Sequence, residues 1–314
     1  MPKRIIRTLF PVAFSVFLLW YTLRNIDLVN VRQRLTAIDP ALVVLVIAIE
    51  MCIIVILSLR WQRILKYTGC TIPVSEAVMV YCGASPAEVI LPMKTSDLLK
   101  ANYLRVTRSF PFVKGVSSVF LDNVFDLGAL VTVSCLGLAL SGHVLSTQFT
   151  WVLVAVCAFI LAAAAASRLV DHPVFASFHA LGLQNVLELY ALALAVWVSV
   201  CVMNTLYFSM AGMQVPFTTV MLYLPLTIML AAVPVTVGGL GSVEWCMLTF
   251  YEGLGSPEAI ITADLLQRIF ASGFPMLIGL PFIARVMWPE ESEGEGDAAP
   301  EQEGDEDEKE GEDE

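Results

Sequence analysis

The chain has 314 residues, and its composition excludes an ordinary soluble domain. Apolar residues make up 57% of the sequence and charged residues 15%, against about 45–50% and about 25% in soluble proteins. The net charge of −11 originates at one end, because residues 290–314 hold 15 of the 29 Asp and Glu residues and one of the 18 Lys and Arg residues. Residues 1–289 therefore carry 14 acidic and 17 basic residues, a net charge of +3.

Six apolar stretches are long enough to cross a bilayer, which takes about 20 helical residues. They are 5–23, 40–59, 115–140, 149–167, 186–210 and 257–285. The first begins among three basic residues, Lys3, Arg4 and Arg7, as in a signal peptide, but it lacks an obvious small-residue cleavage site. We therefore interpret it as a retained span.

Two further apolar stretches, Ser75–Leu91 and Phe217–Val233, are shorter. Each ends at a proline, Pro92 or Pro234, followed by a turn and a second short helix-like segment. Pro86 and Glu88 interrupt the first stretch, and Pro225 interrupts the second. Either both stretches cross the membrane, giving eight crossings, or both enter and return on one side, giving six.

The distribution of basic residues favours six crossings, because Lys and Arg accumulate in cytoplasmic loops. With six crossings and a cytoplasmic N-terminus, 13 basic residues lie inside and 3 outside; with eight, the division is 7 and 9. The inner set includes Arg60, Arg63 and Lys66, which we assign to a loop after the second span. We therefore predict an all-α, multi-pass protein of the cell membrane with six spans, two re-entrant hairpins and both termini in the cytoplasm.

The chain also contains an internal repeat, in which several residues match at one constant offset. Val78-Met79-x-Tyr81 aligns with Val220-Met221-x-Tyr223, Pro92 with Pro234, and Asp122 with Asp264. Repeat 1 covers about residues 5–140 and repeat 2 about 149–286. Three crossings per repeat is an odd number, so the two repeats would have opposite orientations, as in many transporters.

Other segments carry weaker signals. Residues 24–39 combine apolar side chains with three arginines and predict an interfacial segment. Residues 290–314 contain almost nothing apolar and are expected to be a disordered cytoplasmic tail. The seven cysteines form no CxxC pair and the three histidines form no cluster. We expect reduced thiols, no metal site and no cofactor.

The second hairpin combines a proline, a glycine-rich turn and an acid. Pro234 ends a helix, three glycines permit positive φ and close approach of another chain, and Glu244 follows in the next helical turn. These glycines are Gly238, Gly239 and Gly241. A tight structural turn is the alternative. Irregular backbone at membrane depth is tolerated only where it is buried in protein or lines a wet cavity, which favours a site.

The first hairpin places charges where the second has glycines. Asp97 is its acid, and its basic residues predict a lip that contacts lipid phosphates. The lip consists of Lys94, Lys100, Arg105 and Arg108. The alternative is the ordinary cytoplasmic excess of basic residues.

Among the ionisable residues within predicted spans, four are the main candidates to line a substrate path. Asp122 and Asp126 lie at i, i+4 on one helix, and Asp264 and Arg268 at the same spacing on its repeat partner. Each pair shares a helix face. A charge at the bilayer centre costs about 2.5–3.5 kcal/mol, so such residues face away from lipid. We expect Asp264 to pair with Arg268, and Arg268 is also within reach of an aspartate of repeat 1. A structural ion-pair network is the alternative to a substrate path.

These motifs resemble a known family. Pro-x3-Gly-Gly-Leu-Gly-x2-Glu over 234–244, the later Arg268, and Leu-Pro-x4-Asp over 91–97 are similar to the flippase-like membrane domain of bacterial lysylphosphatidylglycerol synthases. The resemblance covers about residues 5–286. The family has an arginine in the first repeat where this chain has Asn123.

The resemblance implies a membrane part that moves a lipid made by a separate soluble domain. Since only the acidic segment 290–314 follows Pro289, we expect a stand-alone member that lacks the soluble domain and works with a separate soluble enzyme. The predicted function is a lipid flippase or transporter, not an enzyme, with no nucleic-acid partner. It would act on a polar-headed lipid, anionic or lipid-linked. The alternatives are a membrane-embedded headgroup transferase or hydrolase, and a non-transporting scaffold whose tail recruits a basic partner.

Overall fold

The computed structural model describes residues 14–24, 26–90, 97–142, 147–169, 176–179, 181–231, 236 and 239–289. All regular structure in these ranges is helical, which confirms the predicted all-α class. The helices are α1 Phe14–Leu23, α2 Leu28–Thr36, α3 Pro40–Tyr67, α4 Val74–Ile90, α5 Asp97–Arg108, α6 Phe112–Ser141, α7 Thr147–Leu169, α8 Ala176–His179, α9 Leu183–Met210, α10 Phe217–Ala231, α11 Ser242–Phe250 and α12 Pro257–Met287. The predicted turn residues Pro92, Lys94, Pro234 and Gly238, and the tail 290–314, lie outside the described residues.

Four of the helices have the length and apolar character of membrane spans: α3, α6, α9 and α12. They contain the predicted spans 40–59, 115–140, 186–210 and 257–285. Over the other two predicted spans lie α1, Phe14–Leu23, and α7, in which residues Leu153–Ala162 form an apolar segment.

The ends of the long helices follow from local chemistry. Asp39 caps α3 by accepting a hydrogen bond from the Ala41 amide at 2.8 Å, and Pro40 occupies the first turn, where no donor is needed. Ser256 caps α12 in the same way, accepting from the Ala259 amide at 3.3 Å. At the C-terminal end of α6, Gly142 adopts a φ of +67° and ends the helix.

The internal prolines do not end the helices over the two shorter apolar stretches. α4 continues through Pro86 and α10 through Pro225. Both prolines are buried. In a buried helix, neighbouring helices and Ser or Thr side chains can satisfy the backbone carbonyl that a proline leaves without a donor. In the same turns the Ser85 hydroxyl donates to the Tyr81 carbonyl at 3.2 Å, and the Thr227 hydroxyl to the corresponding carbonyl of α10 at 2.9 Å.

The helices recur along the chain at the predicted offset. The shift that relates Val78 to Val220 also relates the first residues of α3, α4, α5 and α6 to those of α9, α10, α11 and α12, to within three positions. The contacts recur as well, since α6 packs against α10 and α12 packs against α4. Gly137 approaches the backbone of Leu222, and Gly279 approaches that of Cys82, so closely that neither position has room for a Cβ. The two halves therefore pack through equivalent glycine contacts.

The equivalent helices α3 and α9 pack side by side and run antiparallel. At one end, Tyr67 donates a hydrogen bond to Glu188 at 2.5 Å, and Arg63 lies 3.7 Å from the same carboxylate. The last turns of α3 therefore meet the first turns of α9. This helix pair lies at the centre of the bundle, with α6 against both members.

The predicted interfacial segment 24–39 contains α2, which packs against α12. Val31 is buried, whereas Leu28 and Val29 are exposed. Arg34 donates to the carbonyl of Ala211 at 2.7 Å and so covers the C-terminal end of α9.

Candidate functional site

The first ionic cluster joins α3, α6 and α9 around one guanidinium. Arg60 Nε donates to Asp122 Oδ1 at 2.6 Å, and Arg60 Nη1 donates to Asp126 Oδ1 at 2.7 Å. The indole Nε1 of Trp197 donates to Asp126 Oδ1 at 3.0 Å. The i, i+4 spacing places both carboxylates on one face of α6, where a single guanidinium fork can reach them together.

The members of this cluster differ in exposure. The side chain of Arg60 is 0% exposed, whereas Asp122 and Asp126 are 16% and 18% exposed. Arg60 Nη2 is buried and has no hydrogen-bond partner among the residues that the structure describes. Because a buried guanidinium is tolerated only when it is paired, the two carboxylates hold Arg60 in place and form the accessible side of the cluster.

Arg60 corrects the sequence analysis, which assigned it to a cytoplasmic loop. α3 continues to Tyr67, beyond the predicted end of the span at residue 59, and buries the side chain. The resemblance implies an arginine at position 123, where this chain has Asn123; the guanidinium that pairs with Asp122 and Asp126 comes from another helix. No turn residue separates the apolar run 40–59 from Arg60. This continuity was the sequence signal that the helix extends past Arg60. Trp197 was also missed, since an indole within an apolar helix carries no sequence signal of its own.

The first hairpin extends this cluster through polar contacts. Lys100 Nζ lies 2.8 Å from Asp97 Oδ1, and Asn123 Nδ2 donates to Asp97 Oδ2 at 3.5 Å. The ammonium of Lys100 also lies 5.1 Å from the centre of the Tyr81 ring. Because Asn123 is next to Asp122 on α6, these contacts connect the start of α5 to the first cluster.

The sequence analysis placed Lys100 in a basic lip, but the structure does not place it at the surface. Its side chain is buried, because Asp97 and the Tyr81 ring stabilise the ammonium inside the hairpin. Arg105 is exposed and lies over the Phe112 ring, at 5.8 Å from its centre. Arg108 is exposed as well and pairs with Glu76.

The second ionic cluster joins α11 and α12. Arg268 Nη2 lies 2.8 Å from Glu244 Oε1, and Arg268 Nε lies 3.2 Å from Asp264 Oδ2. Here the carboxylates are buried, at 6% and 1% exposure, and the guanidinium is 29% exposed. Asp264 Oδ1 is buried with no hydrogen-bond partner among the described residues. The expected pairing of Asp264 with Arg268 is found, but the second partner of Arg268 is Glu244 of the same half and not an aspartate of repeat 1.

The glycine-rich turn positions Glu244. Gly239 and Gly241 have φ values of +72° and +85°, as the sequence predicts for this turn. The Gly241 amide donates to Glu244 Oε2 at 2.7 Å, which leaves Oε1 for Arg268. A Cβ on Gly241 would lie 2.8 Å from Leu18 Cβ of α1, so this glycine is required for close packing as well as for φ.

Arg268 is the first residue of a π-helical segment of α12 that ends at Gly273. Such wider turns are rare in helices and recur at functional sites. In this segment Phe270 stacks on Tyr207 of α9, with ring centres 6.1 Å apart. The stacking fixes the π-helical turn against the central helix pair, next to the guanidinium.

The two clusters have the same charge and opposite presentation. Each contains one arginine and two carboxylates, a formal charge of −1. The first presents carboxylates and buries its guanidinium; the second presents its guanidinium and buries its carboxylates. Within the described residues, no three His, Cys, Asp or Glu side chains lie close enough to hold a metal ion.

A comparison with protein families identifies the family of the chain. Residues 8–279 match the family described as Lysylphosphatidylglycerol synthase TM region. No curated protein matches the chain. The matched segment contains both clusters and the helices that position them, and it is well over half of the chain. The resemblance indicated by the sequence motifs is thus confirmed: this multi-pass membrane protein belongs to the Lysylphosphatidylglycerol synthase TM region family.

Proposed function

We propose that the chain moves a polar-headed lipid, or a lipid-linked precursor, between membrane leaflets. The observation that carries this proposal is the pair of ionic clusters on membrane-length helices, each with partly exposed members. A charge facing hydrocarbon costs about 2.5–3.5 kcal/mol, so partly exposed charges at this depth are expected to line a polar groove. The name of the family, which refers to an aminoacylated phospholipid, supports a lipid as the substrate.

The clusters suggest how a headgroup crosses. Its phosphate would bind the partly exposed guanidinium of Arg268, which Glu244 and Asp264 hold in place. Hydroxyl or ammonium groups would bind Asp122 and Asp126. These contacts replace the water that the headgroup loses, and that loss otherwise sets the barrier, while the acyl chains remain in lipid. Charges of both signs fit a headgroup that carries both a phosphate and a hydrogen-bond donor.

An inverted repeat with six crossings is part of this proposal. Its support is the antiparallel packing of α3 and α9, which occupy equivalent places in the two halves. The hairpins α4–α5 and α10–α11 would then enter from opposite sides of the cell membrane, with both termini in the cytoplasm. Cysteine labelling of Arg105→Cys and Leu240→Cys variants in intact cells tests this, because both positions are exposed. Labelling of both from one side would refute the inverted arrangement.

The contacts favour transport over headgroup chemistry. All four cluster carboxylates lie within ion-pair distance of an arginine, and a carboxylate held by a guanidinium is a weak general base. A separate soluble enzyme would then make the lipid. Mass spectrometry of lipids from a deletion strain distinguishes the two functions. A missing lipid species would indicate an enzyme, and an unchanged inventory with altered leaflet exposure would indicate a transporter.

Reconstitution into vesicles with fluorescent phospholipids tests the groove. Asp264→Asn and Arg268→Ala are expected to lower the rate at which the inner leaflet becomes accessible to a membrane-impermeant quencher. Glu252→Gln is the matched control, because Glu252 is an exposed acid in the turn before α12. Wild-type rates in both cluster variants would refute the groove assignment.

A further inference from the structure

Glu50 is an acid within a membrane-length helix that belongs to neither ionic cluster. It lies on α3, ten residues after the helix starts at Pro40, and at the middle of the apolar stretch 40–59. A helix rises about 1.5 Å per residue, so Glu50 is about 15 Å from that end of the span. Acids at such depth are costly to keep charged, and they commonly take part in proton or ion pathways.

The carboxyl group of Glu50 is buried without a partner. Glu50 is 4% exposed, and among the residues that the structure describes it has no hydrogen-bond or ion-pair partner. The acids of the two clusters differ, since each of them lies within ion-pair distance of an arginine. An isolated carboxylate is very costly in an apolar interior, and such a group takes up a proton and becomes neutral.

Within the described ranges, the side chains around Glu50 supply no compensating cation. α4, α6, α9 and the π-helical segment of α12 pack against α3. Cys82 of α4 and Tyr207 of α9 are the titratable groups that interact electrostatically with Glu50, and both residue types are ordinarily neutral at pH 7. The acids of α6 are held by Arg60, and Arg268 of the π-helical segment is held by the carboxylates of the second cluster.

An aromatic stack connects the surroundings of Glu50 to the second cluster. The Tyr207 ring stacks on Phe270, with ring centres 6.1 Å apart, and Phe270 belongs to the π-helical segment that carries the guanidinium of that cluster. On the α4 side, the backbone of Cys82 is in the close contact with Gly279 that joins the two halves. A change of charge at Glu50 therefore acts on residues that pack against the second cluster and between the halves.

We propose that Glu50 is a proton-binding site that couples lipid movement to a proton gradient. The carboxylate accepts a proton from water on one side of the membrane, and in the other state of the cycle the same O–H bond breaks and the proton returns to water on the other side. A proton needs a single oxygen, whereas hard metal cations take several oxygen ligands. Glu50 belongs to no group of three potential metal ligands in the described part of the chain. The coupling rests on the proposed lipid transport; the proton site does not.

Labelling of the purified full chain with dicyclohexylcarbodiimide tests the proton site, because this apolar reagent adds to a carboxyl group in its protonated form. Glu50 is expected to be labelled at neutral pH, and its label is expected to decrease as the pH is raised, as read by peptide mass spectrometry. Glu244 is the matched control within the same chain, since it is buried to a similar extent but lies 2.8 Å from Arg268. A guanidinium at this distance favours the ionised carboxylate, so Glu244 is expected to take up at most about a tenth of the label of Glu50.

A pH difference across reconstituted vesicles tests the coupling. With one proton per lipid, each unit of pH difference is expected to shift the distribution of a fluorescent phospholipid between the leaflets by up to about tenfold. In Glu50→Gln the side chain is neutral at every pH, and the distribution is expected not to respond to the pH difference. Glu252→Gln, which changes an exposed acid, is expected to respond as the wild-type chain does.

Each contrary outcome has a separate meaning. A label on Glu50 no higher than that on Glu244 would overturn the proton site, whatever the chain transports. Protection of Glu50 by Na⁺ at constant pH would assign the site to a metal cation and not to a proton. Lipid movement that ignores the pH difference would overturn the coupling and leave the proposed transport intact. Absence of lipid movement in the wild-type chain would refute the transport and the coupling with it, while the labelling still decides the proton site.

Discussion

Replacing Arg60 by Met tests whether the first cluster stabilises the helix bundle. The substitution removes a guanidinium that is 0% exposed and breaks ion pairs of 2.6 and 2.7 Å to Asp122 and Asp126. Removing one partner of a buried pair costs about 3–5 kcal/mol, because the remaining charge is uncompensated. The carboxylates are 16% and 18% exposed, so water compensates part of this cost. We therefore expect the lower end, about 3 kcal/mol.

The assay is unfolding by SDS in mixed micelles, followed by far-ultraviolet circular dichroism. Arg63→Met is the control, because Arg63 lies one turn further along α3, is 38% exposed and is 3.7 Å from Glu188. An exposed pair of this kind contributes less than about 1 kcal/mol. Combining Arg60→Met with Asp122→Asn and Asp126→Asn removes all three charges and is expected to restore most of the lost stability. A free energy of unfolding for Arg60→Met equal to that of Arg63→Met would refute the reasoning.

Three further substitutions or measurements give defined outcomes. Gly241→Ala should destabilise the protein more than Gly253→Ala, since both glycines have positive φ but only Gly241 contacts α1; equal effects on unfolding would contradict the packing argument. Gly279→Ala should prevent stable packing of α12 on α4, measured as loss of monodisperse protein on size exclusion; wild-type behaviour would contradict the close approach. Burial is the main cause that raises the pKa of the Cys70 thiol. The charge of Arg108 lowers this pKa and that of Glu76 raises it, both to a smaller extent. Its alkylation rate should therefore rise at higher pH than that of a free thiol, as read by peptide mass spectrometry; a profile matching the free thiol would refute this.

Local pattern predicted the second cluster better than the first. Asp264 and Arg268 are one helical turn apart, so their pairing follows from helix geometry alone. The glycines around residue 240 predicted a turn with positive φ, and Gly239 and Gly241 have it. Glu244 contacts Arg268 because the Gly241 amide holds the Glu244 carboxylate and α11 packs against α12.

Charge counting misplaced two basic residues for one physical reason. A count of loop charges assumes that Arg and Lys face water, yet Arg60 and Lys100 are buried against acids from other turns or helices. The ion pair between Arg60 and Asp122 joins residues 62 positions apart. No sequence period indicates such a contact, since it depends on how α3 and α6 rotate against each other.

The sequence by itself determined the helical membrane class, the helix starts that recur at one offset, and the positive φ of Gly239 and Gly241. These properties follow from apolar length, backbone preference and one-turn spacing, which act within a few residues of the chain. Only the tertiary structure decided which charge is buried and which is presented in each cluster. Side-chain pairing at these sites is set by interhelical packing, because the rotation and depth of each helix depend on all of its neighbours at once.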